Sequence, residues 1–173
     1  MPAVATGALP LAVAKFTDTV LAIGDTRDEA NEKFFVNLTN ATNAIIADTQ
    51  GLGTITDDDA APSLSITDVS VAEGNGGTKI MTFTVTLSAA SGQTVTVNYA
   101  TADDTASDGS DYVGKTGTLS FAAGVVTRTI TIVINGDTTV ESDESFFVNL
   151  SGELNATLGD GQGLGIILNE DLL

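Results

Sequence analysis

The sequence contains no cysteine, no histidine and no tryptophan, and each absence narrows the chemistry open to the protein. Without cysteine there is no disulfide framework and no thiolate metal site. Without histidine the chain lacks the usual general base and the usual ligand of transition metals. This composition therefore disfavours an enzyme that needs a histidine base and a zinc site that needs Cys or His ligands.

Positive charge is also scarce, with 6 Lys and Arg residues against 23 Asp and Glu residues and a formal net charge of −17. Such a field repels nucleic acid and anionic membranes, so neither is an expected partner. The apolar residues near the N-terminus are interrupted by Lys15 and Asp18 and lack a basic leader. We therefore expect no membrane insertion and no signal peptide in this chain.

Val, Ile, Thr and 18 Gly residues dominate what is present, and they favour strands and tight turns over helices. Seven short runs alternate apolar and polar residues, and turn-forming residues separate them. This pattern predicts an antiparallel β-sandwich. The runs cover residues 63–71, 80–88, 93–101, 117–122, 125–134, 145–150 and 163–168.

A long internal repeat organises the chain. The stretch GDTRDEANEKFFVNL at Gly24–Leu38 returns 112 residues later as GDTTVESDESFFVNL at Gly136–Leu150. The match continues to the end of both copies, and upstream Ala5–Ala12 is similar to Lys115–Ala122. A period of this length suits tandem sandwich domains. We predict the C-terminal half of a repeat at 1–59, a linker at 60–62 and a complete repeat at 63–171.

The Phe-Phe-Val-Asn-Leu core of both copies is expected to be structural. Alternation places the first Phe, the Val and the Leu on one face, where they would fill the space between two sheets. The second Phe of each copy, Phe35 or Phe147, points the other way. The residues predicted to be buried are Phe34, Val36, Leu38, Phe146, Val148 and Leu150.

The acidic residues cluster in turns. In a meander of seven strands, the turns after the first, third, fifth and seventh strands fall at the same end of the sandwich, and those are the turns that hold the acids. With no Lys or Arg among them, their carboxylates repel one another. Ca²⁺ accepts 6–8 oxygens in irregular geometry, whereas Mg²⁺ and Zn²⁺ fit this composition less well. A solvated acidic pole without metal is the alternative.

Several segments together resemble the Calx-beta domain: AEG, SDGSDY, GTLSFAAG, NGDTTVESDESFFVNL and GLGIILNED. The resemblance covers Pro62–Asp171 in full and Ala3–Asp59 as the second half of a preceding copy. It implies an all-β fold, an immunoglobulin-like seven-stranded antiparallel β-sandwich with Greek-key connections, preceded by a partial repeat. It also implies calcium at the distal loops, as in some members of the family.

Carried over motif by motif, the resemblance implies a set of Ca²⁺ ligands: Glu73, Asp111, Asp137, Glu141, Glu144, Glu170 and Asp171. Asn135 and Asn169 stand where the exchanger-type pattern of the family has Asp, so we expect weaker binding or fewer ions. The half copy keeps several acids but lacks counterparts of Glu73 and Asp111. We do not expect it to hold a full site on its own.

These observations predict a non-enzymatic, calcium-binding structural or adhesion module of a large extracellular or cell-surface protein, with neighbouring repeats as partners. Calcium would neutralise the loops and stiffen the joints between repeats. One alternative is an assembly subunit that forms oligomers or filaments by sharing strands through the partial repeat, with no specific calcium role.

Carbohydrate hydrolysis is disfavoured because no Trp lines a cleft. For sugar binding, the aromatics to test are Tyr99, Tyr112 and Phe147.

Overall fold

The computed structural model describes residues 19–171, and within that range the regular structure consists of β-strands. No helix in that range is long and apolar enough to cross a membrane. The predicted counterpart of Lys115–Ala122 at Ala5–Ala12 lies outside the described residues. The strands are β1 Glu32–Asn37, β2 Gln50–Ile55, β3 Ser63–Ile66, β4 Val69–Ala72, β5 Gly77–Leu87, β6 Val95–Asp103, β7 Tyr112–Val113, β8 Thr116–Phe121, β9 Thr127–Gly136, β10 Glu144–Leu154, β11 Thr157–Leu158 and β12 Gln162–Leu168.

Strands β3 to β12 form two five-stranded sheets. One sheet has the order β4-β12-β10-β6-β8 and the other has the order β11-β3-β5-β9-β7. Pairing is antiparallel except between β4 and β12 and between β11 and β3, which run parallel. The two sheets enclose a single apolar cluster. The predicted all-β sandwich is confirmed.

Two details of the predicted topology are wrong. The first predicted strand, 63–71, is two strands, because the chain crosses from one sheet to the other between Ile66 and Val69. At the crossing, the Asp68 carboxylate accepts a hydrogen bond from the Leu164 amide at 2.7 Å. The strands also do not form a meander, since β5 pairs with β9 while β6 pairs with β8 and β10. Strand directions still place the ends of β4, β6, β9 and β12 at one pole.

The core confirms the predicted role of Phe146, Val148 and Leu150. Phe146 is fully buried. It stacks on Tyr112 with ring centroids 4.2 Å apart and meets Phe83 edge-on at 6.1 Å. Both sheets therefore contribute aromatic rings to the same contact, and this contact lies next to the pole where the acidic turns meet.

Strands β1 and β2 form a separate two-stranded hairpin from the half copy. Its Phe34 is only partly buried, and Val36 and Leu38 are 41% and 52% exposed. The prediction that these three side chains are buried is wrong. The face they share has no second sheet opposite it among residues 19–171, so it stays open to solvent.

Candidate metal centre at the acidic pole

Three carboxylates meet at the pole of the complete repeat. One oxygen from each of Asp111, Glu141 and Glu144 lies within 4.8 Å of the other two. Asp111 precedes β7, Glu144 opens β10, and Glu141 comes from the loop between β9 and β10. Burial, followed by the charges of Asp111 and Glu141, raises the pKa of Glu144. The cluster therefore favours a cation or a proton.

Glu73 is the most buried acid of the pole, with 5% of its surface exposed. It follows β4, and its backbone amide donates to the Leu168 carbonyl at 3.2 Å, which extends the pairing with β12. Burial is the first cause that raises its pKa to about 7, and the charges of Asp137, Glu141, Asp171 and Glu170 add to it. A carboxylate in this position is costly to ionise unless a positive charge accompanies it.

Asp171 is also buried, with 9% of its surface exposed. The Asn75 side-chain amide donates to its Oδ1, and its own backbone amide donates to Asn169 Oδ1 at 2.9 Å. Its other carboxylate oxygen, Oδ2, is buried and has no hydrogen-bond partner. A buried oxygen without a partner costs free energy, and a metal ion would remove that cost.

Several acids near the pole have local hydrogen-bond partners, and these include Asp111, which accepts from the Ser107 amide at 2.7 Å. Asp103 accepts from the Tyr112 hydroxyl at 2.6 Å and from the Asp108 amide at 2.9 Å. Asp104 accepts from the Ser145 hydroxyl at 2.7 Å, and Asp108 accepts from the Gly114 amide at 2.6 Å. These side chains hold their loop in shape. Of the four aspartates in that loop, Asp111 is the one grouped with Glu141 and Glu144.

The structure thus brings the seven predicted residues to one pole, in unequal roles. Asp111, Glu141 and Glu144 form one group. Glu73 and Asp171 are the buried members of a second group, and the charge of Glu141 also raises the pKa of Glu73. Asp137 and Glu170 are exposed. The Thr139 amide donates to Asp137 at 2.5 Å, and this bond lowers the pKa of Asp137.

Sequence reasoning missed two contributors, both from the turn around EGNGGTK. Asn75 holds Asp171, as described above. The Lys79 side chain lies beside the same turn. A Cβ built on Gly74 would be 3.0 Å from Lys79 Cε and 3.6 Å from a Glu170 carboxylate oxygen, so both side chains are close to Gly74. The expectation that no Lys or Arg lies among the acids is therefore wrong. The register of β5 against β9, which could not be read from composition, places Lys79 there.

Backbone contact fixes the geometry of this pole. A Cβ on Gly136 would lie 2.2 Å from the Gly74 carbonyl oxygen and 2.6 Å from that of Glu73. Only glycine permits the end of β9 to approach the Glu73 turn so closely. The donor set is made of hard oxygen atoms, and it includes one buried oxygen without a partner. These residues fit Ca²⁺.

Comparisons with known proteins identify the family of this chain. A family model described as the Calx-beta domain matches residues 12–59 and 56–167. The chain belongs to the Calx-beta domain family. The predicted family resemblance is confirmed.

Among curated proteins, sodium/calcium exchanger 2 of Rattus norvegicus and of Homo sapiens are 44% identical to this chain over 68 residues, which is 39% of this chain and 7% of the exchanger. The sodium/calcium exchanger Calx of Drosophila melanogaster is 44% identical over 54 residues, 31% of this chain and 6% of that protein. The chain therefore spans only about 7% of the length of these relatives.

Solved Calx-beta structures show the same fold. The apo-form Calx CBD1 domain is 28% identical with a TM-score of 0.57, and the match covers 63% of this chain and 99% of that domain. A structure described as calcium binding domain CBD12 of CALX1.1 is 28% identical with a TM-score of 0.57, covering 62% of this chain and 46% of that one. The immunoglobulin-like sandwich is confirmed.

The half Calx-beta repeat carries its own acidic group. Its acids line a cavity of about 90 Å³, with Asp25, Glu29, Glu32, Asp57, Asp58 and Asp59 among the lining residues. Burial and the neighbouring Asp57 and Asp58 charges raise the pKa of Asp59.

The acidic turn of the half repeat contacts the opposite pole of the complete repeat. Asp28 is buried, and its carboxylate accepts from the Ser91 hydroxyl at 2.8 Å. Its backbone carbonyl accepts from the Gly92 amide at 2.8 Å. The Arg27 guanidinium donates to the Ser91 carbonyl at 3.3 Å. Arg27 and Asp28 therefore form the joint between the two repeats.

The aromatics proposed for sugar binding do not form a platform. Tyr112 is buried in the core and bonded to Asp103, so the prediction that it could contact a sugar is wrong. Tyr99 is partly buried, and its ring lies over Gly117, where a Cβ would be 2.6 Å from the hydroxyl. Phe147 is also partly buried.

Proposed function

We propose that the complete repeat is a non-catalytic module that binds Ca²⁺ at its acidic pole through residues of the set Glu73, Asp111, Asp137, Glu141, Glu144, Glu170 and Asp171. The observation that carries the proposal is the pair of buried carboxylates, Glu73 and Asp171, one of which has an oxygen without a partner. Solved Calx-beta structures described as calcium binding domains support it.

Calcium occupancy also stabilises the fold by mass action. An ion that binds only the folded state adds about 2.7 kcal/mol to the free energy of unfolding at a hundredfold excess over the dissociation constant. In a tandem array the same ion stiffens the joint, because the acidic turn that holds it also carries the contact to the next repeat. Asp25 and Glu29 flank Arg27 and Asp28 in such a turn.

The proposed affinity is low. Where charge-rich members of the family have Asp, this chain has Asn135 and Asn169. The Asn135 side-chain amide donates to the Ser110 carbonyl at 2.9 Å, and that of Asn169 donates to the Glu141 carbonyl at 2.5 Å. These amides preserve the loop shape but supply no negative charge to an ion.

We also propose an extracellular setting, and the Ca²⁺ dissociation constant tests it. The relatives reported above are named as exchangers, and their names support neither adhesion nor secretion. Extracellular modules bind Ca²⁺ with dissociation constants of about 10⁻⁴–10⁻³ M, and intracellular sensors with about 10⁻⁷–10⁻⁵ M. A measured value in the first range supports an extracellular module, and a value in the second range contradicts it.

Isothermal titration calorimetry of the full chain at pH 8 tests the calcium site directly. We expect Ca²⁺ to bind and Mg²⁺ to bind more weakly, and we expect Asp171→Asn to weaken Ca²⁺ binding. The matched control is Asp160→Asn, because Asp160 is an exposed acid beyond the other end of the sandwich, where its carboxylate accepts from the Gln162 amide. Equal Ca²⁺ binding by both variants and the wild type would sink the proposal.

A second candidate function is assembly by sharing strands through the half repeat. It is favoured by the apolar side chains that the β1–β2 hairpin exposes, since an unpaired hairpin is marginal in water. Light scattering in chelator tests it without reference to calcium. An assembly larger than one chain that disappears when Val36 and Leu38 are replaced by Glu supports this function.

A further inference from the structure

The sequence contains two Asn-Gly pairs, Asn75-Gly76 and Asn135-Gly136. Both lie at the acidic pole, because the Asn75 side chain contacts Asp171 and the backbone of Gly136 packs against that of Gly74. Asparagine is a thermolabile residue, and a following glycine has no side chain to shield its backbone nitrogen. The two pairs are therefore candidate sites of the same reaction, spontaneous deamidation, in different surroundings.

Deamidation needs only the chain itself and water. The backbone nitrogen of the glycine attacks Cγ of the asparagine and forms a new N–C bond, which closes a five-membered succinimide ring. The Cγ–Nδ2 bond breaks, and Nδ2 leaves as ammonia with the proton from the glycine nitrogen. Water then opens the ring at either carbonyl, so the product is an aspartate or an isoaspartate. Either product carries a carboxylate where the amide was neutral.

The turn around Asn75 leaves room for this ring closure. Asn75 is exposed, and it lies between β4 and β5 in a turn where Gly76 and Gly77 have φ angles of 141° and 74°. A Cβ built on either glycine would meet no atom within 4 Å apart from its chain neighbours. The Gly76 nitrogen donates to the Gly74 carbonyl at 2.7 Å. This bond spans two residues of one exposed turn, so a local movement is enough to release the nitrogen.

The surroundings of Asn135 oppose the same reaction. Asn135 is half-buried in β9, opposite Thr78 of β5. Its backbone amide donates to the Asp111 carbonyl at 2.9 Å, and its side-chain amide donates to the Ser110 carbonyl at 2.9 Å. A Cβ on Gly136 would lie only 2.2 Å from the Gly74 carbonyl oxygen. Ring closure at Asn135 therefore requires the end of a paired strand to open first.

A carboxylate at position 75 would change the electrostatics of the pole. The Asn75 amide donates to Oδ1 of Asp171, which is buried and whose Oδ2 has no hydrogen-bond partner. Deamidation replaces that donor with an acceptor of negative charge. Two carboxylates then face each other, which destabilises the calcium-free pole and favours a bound cation.

We propose that Asn75 is a site of spontaneous deamidation, and that the carboxylate formed there adds negative charge to the acidic pole. The reactivity of the site does not depend on calcium. Its effect on Ca²⁺ binding rests on the proposed function, because the new carboxylate offers an ion an oxygen atom in place of an amide nitrogen. The fraction of deamidated chains grows with the age of the protein, so the pole gains charge over time.

Peptide mapping by mass spectrometry tests the site. The full chain is incubated in chelator at pH 8, and the loss of amide at Asn75 and at Asn135 is followed in the same sample. Asn75 should lose its amide at least about tenfold faster than Asn135, the equivalent of about 1.4 kcal/mol. Equal rates, or a faster loss at Asn135, overturn the proposal.

A matched pair of variants identifies the residue responsible for the added charge. Isoelectric focusing of the aged wild type should show a growing acidic form. Asn75→Gln should abolish most of this form, since glutamine keeps an amide but closes a less favourable six-membered ring. Asn135→Gln should leave it unchanged. An acidic form that accumulates equally in Asn75→Gln contradicts the assignment.

Calcium titration of Asn75→Asp then tests the effect on the pole. This variant should bind Ca²⁺ about fivefold more tightly than the wild type, the equivalent of about 1 kcal/mol. Asn98→Asp is the control, because Asn98 is exposed within β6 and the change adds the same charge. Equal affinity in the two variants overturns the effect on the pole. A chain that deamidates at Asn75 but binds no Ca²⁺ overturns the proposed function and supports the modification site.

Discussion

Glu73 is the residue on which the electrostatics of the pole depend. It is buried among other carboxylates, which come from two other segments, the β9–β10 loop and the segment after β12. A charge in that position destabilises the calcium-free protein and favours a bound cation. The same side chain therefore lowers the stability of one state and raises that of the other.

We predict that Glu73→Gln separates these two effects. At pH 8 the calcium-free variant should unfold at a higher temperature than the wild type, because a repelled carboxylate becomes a neutral amide of similar volume. The increase in unfolding temperature caused by millimolar Ca²⁺ should become smaller. Differential scanning calorimetry with and without Ca²⁺ measures both. Glu153→Gln is the control, since Glu153 is exposed near the opposite end of β10. Identical curves for the two variants would contradict this role of Glu73.

The pH dependence of stability follows from the same residue. The pKa of Glu73 is raised from 4.5 to about 7 in the folded protein. Between these values the unfolded chain releases a proton that the folded chain keeps, so Glu73 makes the calcium-free protein less stable as the pH rises from 4.5 to 7. Its contribution is constant below pH 4.5 and above pH 7.

Because Ca²⁺ competes with that proton, calcium should bind more tightly as the pH rises through 7. Urea unfolding in chelator and calcium titration, each at pH 5, 6, 7 and 8, measure the two trends. The Glu73→Gln variant should flatten both. A wild-type calcium affinity that does not change between pH 6 and 8 contradicts the raised pKa.

At the scale of the element, the two Phe-Phe-Val-Asn-Leu strands offer an internal comparison. Strand β10 is covered by the second sheet, whereas strand β1 has no sheet opposite it among residues 19–171. Identical sequence therefore occupies two environments in one molecule. The difference isolates the contribution of burial from that of strand propensity.

We predict that Phe146→Ala costs about 3–5 kcal/mol of the unfolding free energy, because it leaves a cavity beside Tyr112 and Phe83. Phe34→Ala, the same change 112 residues earlier, should alter the unfolding of the complete repeat by about 0.5 kcal/mol or less. Urea unfolding followed by tyrosine fluorescence measures both, since Tyr99 and Tyr112 lie in the complete repeat. Equal losses for the two variants would mean that the repeats unfold as one unit.

For the whole molecule, the decisive contact is the joint between the acidic turn of one repeat and the far pole of the next. Asp28 is a charged side chain placed between repeats, and Ser91 and Gln93 satisfy it with hydrogen bonds at 2.8 Å and 3.4 Å. The backbone bond from Gly92 to Asp28 crosses the same joint. This contact gives one repeat a defined neighbour.

We predict that Asp28→Ala loosens this joint and accelerates hydrogen exchange at the Gly92 amide by about 5–30-fold, the equivalent of one or two hydrogen bonds. Hydrogen exchange followed by nuclear magnetic resonance resolves that amide. Asp25→Asn serves as the control, because Asp25 is exposed and accepts from the Arg27 amide within its own turn. Unchanged exchange at Gly92 in Asp28→Ala means that Asp28 does not hold the joint.

Sequence patterns by themselves determined most of the strands, the repeat and the pole, but not the division of 63–71 into two strands or the order of pairing. Period-2 alternation marks each main strand because neighbouring side chains point to opposite faces. The acids fall at one end because strand directions alternate whichever strands pair. Burial of Phe146 followed from alternation within one strand and is confirmed. The choice of Glu73 and Asp111 as metal ligands came from family motifs and stays a prediction.

Tertiary structure alone decided which residues at the pole are buried and what covers each hairpin. Asp103 and Asp111 look equivalent in sequence, and each accepts a hydrogen bond from a backbone amide of its own loop. Asp103 also accepts from the buried Tyr112 hydroxyl, whereas Asp111 lies in the group with Glu141 and Glu144. Phe34 and Phe146 share one motif, yet within the part of the chain that the structure describes only Phe146 has a sheet opposite it. Local patterns record which face a side chain takes. Burial depends on distant segments that fill that face, and this information is non-local.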